Sequence, residues 1–160
     1  MSKSFTLIEL LVVTTIILVF SGLSLAYYNN FTQEKKLNQE TQKLINTIEL
    51  AKKKANIGEM ENCTSLCGYQ FLVNSSGYSV NICCTCNING DCVNPIPIIN
   101  YSFPSNLGIN SIDNFTTMFR PLSPLITPGD IRLKNKNINK CQKISINQTG
   151  IIEIQDISCP

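Results

Sequence analysis

The sequence predicts an α+β protein: one long N-terminal helix, half membrane-spanning and half amphipathic, packed on a C-terminal antiparallel β-sheet. Three observations predict it. Residues 5–28 form an apolar run interrupted by a single charge, Glu9. No proline breaks residues 5–57, and apolar residues recur at helical spacing along the second half of that stretch. After Gly58 the periodicity shifts toward two, and turn residues punctuate short runs of Ile, Val, Phe and Tyr.

The apolar run reads FTLIELLVVTTIILVFSGLSLAYY. A membrane-spanning helix needs about 20 mostly apolar residues, and this run has that length. Tyr27 and Tyr28 close it, where an aromatic belt sits at the membrane–water boundary. Lys3 on the other flank favours a cytoplasmic N-terminus. The competing reading is an ordinary secretory signal peptide, cut after Ala26 in Ser24-Leu25-Ala26 to release a secreted Cys-rich domain. Glu9 speaks against it. A carboxylate in an apolar helix is disfavoured by about 2.5–3.5 kcal/mol at the helix centre, and such a residue is expected to have a partner or a function.

Leu37, Leu44, Ile45, Ile48, Ala51 and Ala55 follow i, i+3, i+4, i+7 spacing and mark one buried stripe. Gln33, Lys36, Glu40, Lys43 and Lys54 are expected mostly on the other faces. Gly58 is a natural C-terminal stop, and Lys52, Lys53 and Lys54 before it read as a solvated face that complements the helix dipole. A helix from Phe5 to Ile57 would be about 80 Å long.

Beyond Gly58, strands are expected at 69–73, 78–83, 98–103, 115–119, 131–136, 140–147 and 151–157. Asn74-Ser75-Ser76-Gly77 reads as a hairpin turn, residues 84–97 as a loop, and Pro121, Pro124, Pro128 and Gly129 as a long turn.

The segment Ser4-Phe5-Thr6-Leu7-Ile8-Glu9-Leu10-Leu11-Val12-Val13 closely resembles the N-terminal signature of type IV pilins and of the pseudopilins of type II secretion. The resemblance implies that a prepilin peptidase removes a leader, residues 1–4, by cutting between Ser4 and Phe5. It also implies N-methylation of Phe5. The family places Gly where Ser4 stands here. Glu9 becomes the fifth mature residue and pairs with the Phe5 amine of a neighbouring subunit in the filament core. The implied divisions are 5–28 for the transmembrane and filament-core helix, 29–58 for the amphipathic half, and 59–160 for a disulfide-rich head.

LINTIELAKKKA followed by Cys67-Gly68-Tyr69 is similar to minor pseudopilins of the H-subunit type and their type IV pilus counterparts. So is the tail, with Asp130–Leu133, Cys141–Asn147 and Thr149-Gly150, although Ile151 stands where that family often has a basic residue. This implies a minor component that primes assembly or sits near the filament tip. It would cross the inner (cytoplasmic) membrane once, with its head periplasmic or extracellular. Its implied partners are the membrane, other pilin or pseudopilin subunits, the prepilin peptidase and the inner-membrane assembly platform.

Composition narrows the chemistry. The chain has no His and no Trp, which excludes Ser-His-Asp and Cys-His nucleophile systems. No Asp-x-Asp-x-Asp-Gly loop and no Gly-rich phosphate loop is present. A non-enzymatic subunit without cofactor or metal is expected.

The eight cysteines are Cys63, Cys67, Cys83, Cys84, Cys86, Cys92, Cys141 and Cys159. All follow the apolar run, so all share one compartment, and outside the cytoplasm they read as a disulfide framework. Cys83 and Cys84 point to opposite faces of an extended chain and should have different partners. Cys159 is expected to tie the last strand to an earlier position, with Cys141 the candidate. The alternatives are a thiolate zinc site on Cys83-x-x-Cys86, completed by Cys63, Cys67 or Cys92, and a redox-active pair.

Near the end, an extended Asp130–Lys136 puts Arg132, Lys134 and Lys136 on one face. Lys140, Lys143 and Arg120 would extend the patch, making it a candidate contact for DNA or a surface. The other reading is an edge strand protected by lysines, which a net charge of +2 and the lack of interleaved aromatics favour. Asn62, Asn74, Asn114 and Asn147 lie in N-x-S/T sequons, read as products of an Asn-rich composition.

Overall fold

The computed structural model describes residues 6–61, 63–109, 115–123 and 126–159. Ser4 and Phe5, and with them the expected cleavage point, lie outside the described residues. One helix, α1, runs unbroken over Leu7–Ile57. Gly58 ends it with φ 71°, the left-handed conformation that glycine adopts freely, and its N–H donates back to Ala55. Residues 7–22 are exposed throughout, whereas Leu37, Leu44, Ile45, Ile48, Ala51 and Ala55 are all buried. The helix is thus bare at one end and docked at the other.

Three helix residues expected to be solvated are not. Glu40 is only 6 % exposed. Its carboxylate accepts from the Tyr101 hydroxyl at 2.8 Å and from Lys43 Nζ at 2.7 Å, and these two donors make the burial tolerable. The lysine run is likewise engaged: Lys52 donates to the Gly150 carbonyl at 3.0 Å, and Lys54 pairs with Glu59 and Glu61.

Among the described residues, ten strands follow in chain order: β1 (Gly68–Asn74), β2 (Gly77–Cys83), β3 (Thr85–Cys86), β4 (Cys92–Val93), β5 (Ile96–Ser102), β6 (Leu107–Ile109), β7 (Phe115–Phe119), β8 (Gly129–Asn135), β9 (Lys140–Ile146) and β10 (Ile152–Ser158). They form two four-stranded antiparallel sheets, ordered β5-β2-β1-β7 and β10-β9-β8-β6, plus the small ribbon β3-β4. The sequence reading anticipated a single sheet. The chain enters the second sheet at β6, returns to the first with β7, and crosses again to β8 through the segment holding Pro121 and Pro128, which lack backbone donors. Both sheets dock on α1, through β1, β2 and β7 on one side and β8 and β9 on the other. Tyr69, Phe71 and Val73 meet Leu44 and Ile48 in the same buried cluster as Ile131, Leu133, Ile144 and Ile146.

Two of the sequons are turn devices. Asn74 Oδ1 accepts from the Ser76 N–H, the Ser76 hydroxyl and the Gly77 N–H at 3.0, 2.7 and 3.0 Å. Asn147 Oδ1 accepts from the Thr149 N–H, the Thr149 hydroxyl and the Ile151 N–H at 3.0, 2.7 and 2.9 Å. The hydroxyl two residues on is there to complete an Asx turn, so composition alone does not explain it. Asn62 and Asn114 lie outside the described residues.

Burial raises the pKa of Tyr69 and Tyr78 above the ordinary 10.0, and it does the same for Tyr101, aided by the hydroxyl's bond to Glu40. A tyrosine with a raised folded pKa keeps its proton in the fold when the unfolded chain has begun to lose it. That stabilisation is whole below pH 10 and disappears as pH rises through the raised folded values. Lys43, raised by its bond to Glu40, has the same sign. We expect loss of β-sheet circular dichroism above about pH 10, coincident with phenolate absorbance from these buried tyrosines. Phenolate appearing with the sheet intact would contradict it.

Candidate functional site

The N-terminal end of α1 is built for a single polar feature. Thr6 is the N-cap, with extended φ/ψ of −78° and 150°, and its hydroxyl accepts the Glu9 N–H at 3.3 Å. Thr6-x-x-Glu9 has capping-box spacing, a signal that the sequence reading missed. The Glu9 side chain itself stays exposed beside Leu7, Ile8, Leu10 and Leu11. Further along, the Thr14 and Thr15 hydroxyls fold back onto the Leu11 and Val12 carbonyls at 2.9 and 2.8 Å. Their hydroxyls are satisfied within the helix, so among residues 7–22 Glu9 is the one ionisable side chain on an otherwise apolar surface. The helix Leu7–Ile57 contains a segment long and apolar enough to span a membrane.

Tyr27, Tyr28 and Phe31 follow, all exposed, with the Lys35 ammonium 5.4 Å from the Phe31 ring centroid. Above this neck a polar seam joins α1 to the second sheet. Gln142, nearly buried, accepts from the Thr41 hydroxyl at 2.6 Å and donates to Asn38 at 2.6 Å and Asp156 at 2.8 Å. Asn135, fully buried, donates to the Gln33 backbone carbonyl at 3.0 Å. The sequence did not single out either amide, because a polar residue in an alternating strand gives no sign of which partner crosses to meet it.

The eight sulfurs form four bridges: Cys63–Cys84, Cys67–Cys86, Cys83–Cys92 and Cys141–Cys159. Adjacent Cys83 and Cys84 do take different partners, and Cys159 does pair with Cys141. Cys83 and Cys86, which share zinc-ligand spacing, belong to separate disulfides, so the thiolates that a zinc site or a free redox pair would use are already bonded to sulfur. Three bridges converge on residues 83–92; residues 84–97, expected to be a loop, hold the β3-β4 ribbon and the start of β5. Two-residue strands are too short to show a periodicity, and the cross-links define them instead. The ribbon's turn wraps Asn87, whose side-chain oxygen accepts from the Asn89 and Asp91 N–H groups at 3.0 and 2.7 Å. It leaves Ile88 fully exposed at the tip.

The basic patch assembles only in part. Arg132 and Lys134 sit on the outer face of the second sheet with Lys143, and Lys136 follows at the end of β8. Lys140 does not join them. It lies on the opposite face, paired with Glu34 of α1. Arg120 is remote as well, donating to the Gly90 carbonyl at 2.8 Å. Within the patch Lys143 bonds Asp130 at 2.9 Å, which holds the Asp130 carboxyl below its usual range. The edge-strand reading is also corrected: β8 lies between β9 and β6, so its lysines guard no open edge.

The layout, an apolar N-terminal helix continuous with a disulfide-bridged antiparallel head, agrees with a pilin-like shape. Comparison with protein-family models, curated proteins and solved structures finds no match.

Proposed function

We propose that the chain is a minor filament subunit of the pilin and pseudopilin type, serving a type II secretion or type IV pilus machine. In this reading a prepilin peptidase cuts between Ser4 and Phe5 and Phe5 is N-methylated. The inner-membrane platform then moves the subunit from the membrane into the filament. The head, outside the cytoplasm, carries no catalysis.

One observation carries the reading. A single unbroken helix presents an apolar half that is exposed over residues 7–22 and 27–28, with one carboxylate in its first turn, and clamps its other half into a cross-linked head. A bare apolar helix of this length needs lipid or other helices around it. Helices bundled in a filament core satisfy it as lipid does, and Glu9 then meets the amine created on a neighbour's Phe5. The Lys143–Asp130 pairing within the basic face weakens the DNA-binding alternative.

Intact and N-terminal mass spectrometry of the native protein tests the proposal. The expected species begins at N-methylated Phe5 and gains eight hydrogens on reduction, matching four disulfides. A chain beginning at Tyr27 would overturn the filament reading in favour of a secreted Cys-rich domain. An uncut chain would overturn the processing step.

A further inference from the structure

The neck of the molecule has a second element beside the helix. Leu7–Tyr28 is 22 residues, about 33 Å of helix, which matches a hydrocarbon core of about 30 Å. Tyr27 and Tyr28 then mark the boundary, and the turns from Asn30 to Lys36 rise through the headgroup layer, about 5–7 Å deep on each side. At this level the head reaches down. The turn between β8 and β9 shares with α1 a groove of about 360 Å³, lined by Tyr27, Asn30, Phe31, Glu34, Ile138 and Lys140.

The height of that turn is fixed. Buried Asn135 donates to the Gln33 carbonyl at 3.0 Å, and its own side-chain oxygen accepts the Asn137 N–H at 3.0 Å. Asn106 donates to Gln33 Oε1 at 2.9 Å, and Lys140 pairs with Glu34. The turn therefore cannot swing away from the helix without breaking the hydrogen bonds of the buried Asn135 side chain.

Its charge is one-sided. Residues 27–36 and 135–140 carry Lys35, Lys36, Lys136 and Lys140 against the single carboxylate of Glu34. All four lysines are exposed, and the aromatic neck and half-buried Ile138 lie among them. Amphipathic aromatics, a seated aliphatic and surplus cations gathered within about 14 Å of helix rise at the membrane boundary are complementary to an anionic leaflet.

We propose that the β8–β9 turn, together with Lys35 and Lys36, is a membrane foot that seats the head on anionic lipid headgroups before assembly. The occupant is the phosphate layer of the membrane that α1 crosses, so the proposal rests on the anchoring part of the function above. Seating fixes the tilt and rotation of the head, because the turn lies on one side of the helix only. Entry into a filament then requires the foot to lift, and anionic lipid holds the unassembled subunit back.

The chain has no tryptophan, so one introduced residue reports alone. The full-length protein carrying Ile138→Trp is reconstituted in vesicles of phosphatidylcholine, with and without phosphatidylglycerol, using lipids brominated near the headgroup. Leu18→Trp reports the span, and Ile88→Trp reports the far end of the head. Mass spectrometry checks each variant for four disulfides. Asn137→Trp, on the exposed part of the same turn, replaces Ile138→Trp if that change disturbs them.

The turn probe is expected to be quenched, more strongly with phosphatidylglycerol, while Ile88→Trp is not. Adding Lys136→Glu is expected to lower the ratio of seated to lifted heads at least about fivefold, since each cation near an anionic surface strengthens association by roughly that factor. A turn probe as unquenched as Ile88→Trp, with Leu18→Trp quenched, would overturn the foot and leave the anchor standing. If Leu18→Trp is also unquenched, the anchor fails with it. Quenching that ignores both phosphatidylglycerol and Lys136→Glu would overturn the assignment to anionic headgroups.

Discussion

Replacing Glu9 with Leu is expected to remove the chain from filaments while leaving its head folded. The carboxylate stands in the first turn of an apolar surface, far from the sheets, so the head does not depend on it. In a dry helix bundle the Phe5 amine left behind would be an unpaired buried charge. Breaking such a pair costs about 3–5 kcal/mol, an expected drop in incorporation of about 10²- to 5 × 10³-fold. Glu9→Gln keeps the shape and loses the charge, so it should fail nearly as badly. The capping role of this segment is too small to mimic the effect: losing an N-cap costs about 1 kcal/mol, so Thr6→Ala should reduce incorporation only several-fold. The measurement is the amount of each variant that co-purifies with sheared filaments. Normal incorporation of Glu9→Leu would refute the charge pairing.

Reducing the four disulfides is expected to unfold the head. The bridges close loops of 21, 19, 9 and 18 residues. Each bridge in this range is worth about 2–4 kcal/mol. The first three share one region, so their contributions do not simply add. Even discounted, the total rivals the roughly 5–15 kcal/mol that holds an ordinary domain together. The Cys141–Cys159 bridge stands apart from the others and can be removed cleanly. Changing both residues to Ser is expected to cost about 3 kcal/mol and lower Tm by about 10–20 °C. Thermal unfolding followed by circular dichroism, with and without reductant, checks both statements. A head that keeps its Tm under full reduction would show that the core alone suffices.

The helix was legible from the sequence because its signals are long and redundant. The stripe from Leu37 to Ala55 repeats for five turns, and Gly58 stops it with a conformation other residues resist. The longer strands were legible from alternation, as in Ile131 and Leu133 against Arg132 and Lys134. The partition into two sheets was not, since periodicity reports which face a strand buries and says nothing of its neighbours. Grouping Lys140 with Lys143 was an error of another kind. Both fall in the strand expected at 140–147, three positions apart, and so project from opposite faces; that alternation alone separates them. Glu40 was misplaced because its burial depends on Tyr101, 61 residues away. Cys83 and Cys84 show the opposite case, where simple strand geometry was enough to assign them to different bridges.

The cross-links also set the order in which the head comes apart. Each sheet contains one covalently closed hairpin: β1-β2, flanked by the bridges at Cys67 and Cys83, and β9-β10, closed by Cys141–Cys159. Residues 93–140 hold no cysteine, so β5 to β8 are retained by ladder bonds and packing alone. Three of those four, β5, β6 and β7, are edge strands. Local opening, which begins where buried contacts are fewest, therefore enters through these strands and halts at the closed hairpins. A partly opened head is not a random chain but two sealed seeds joined by a loose middle. Refolding from it needs the middle strands to redock, and the loop left to close is the cysteine-free segment 93–140 between the seeds.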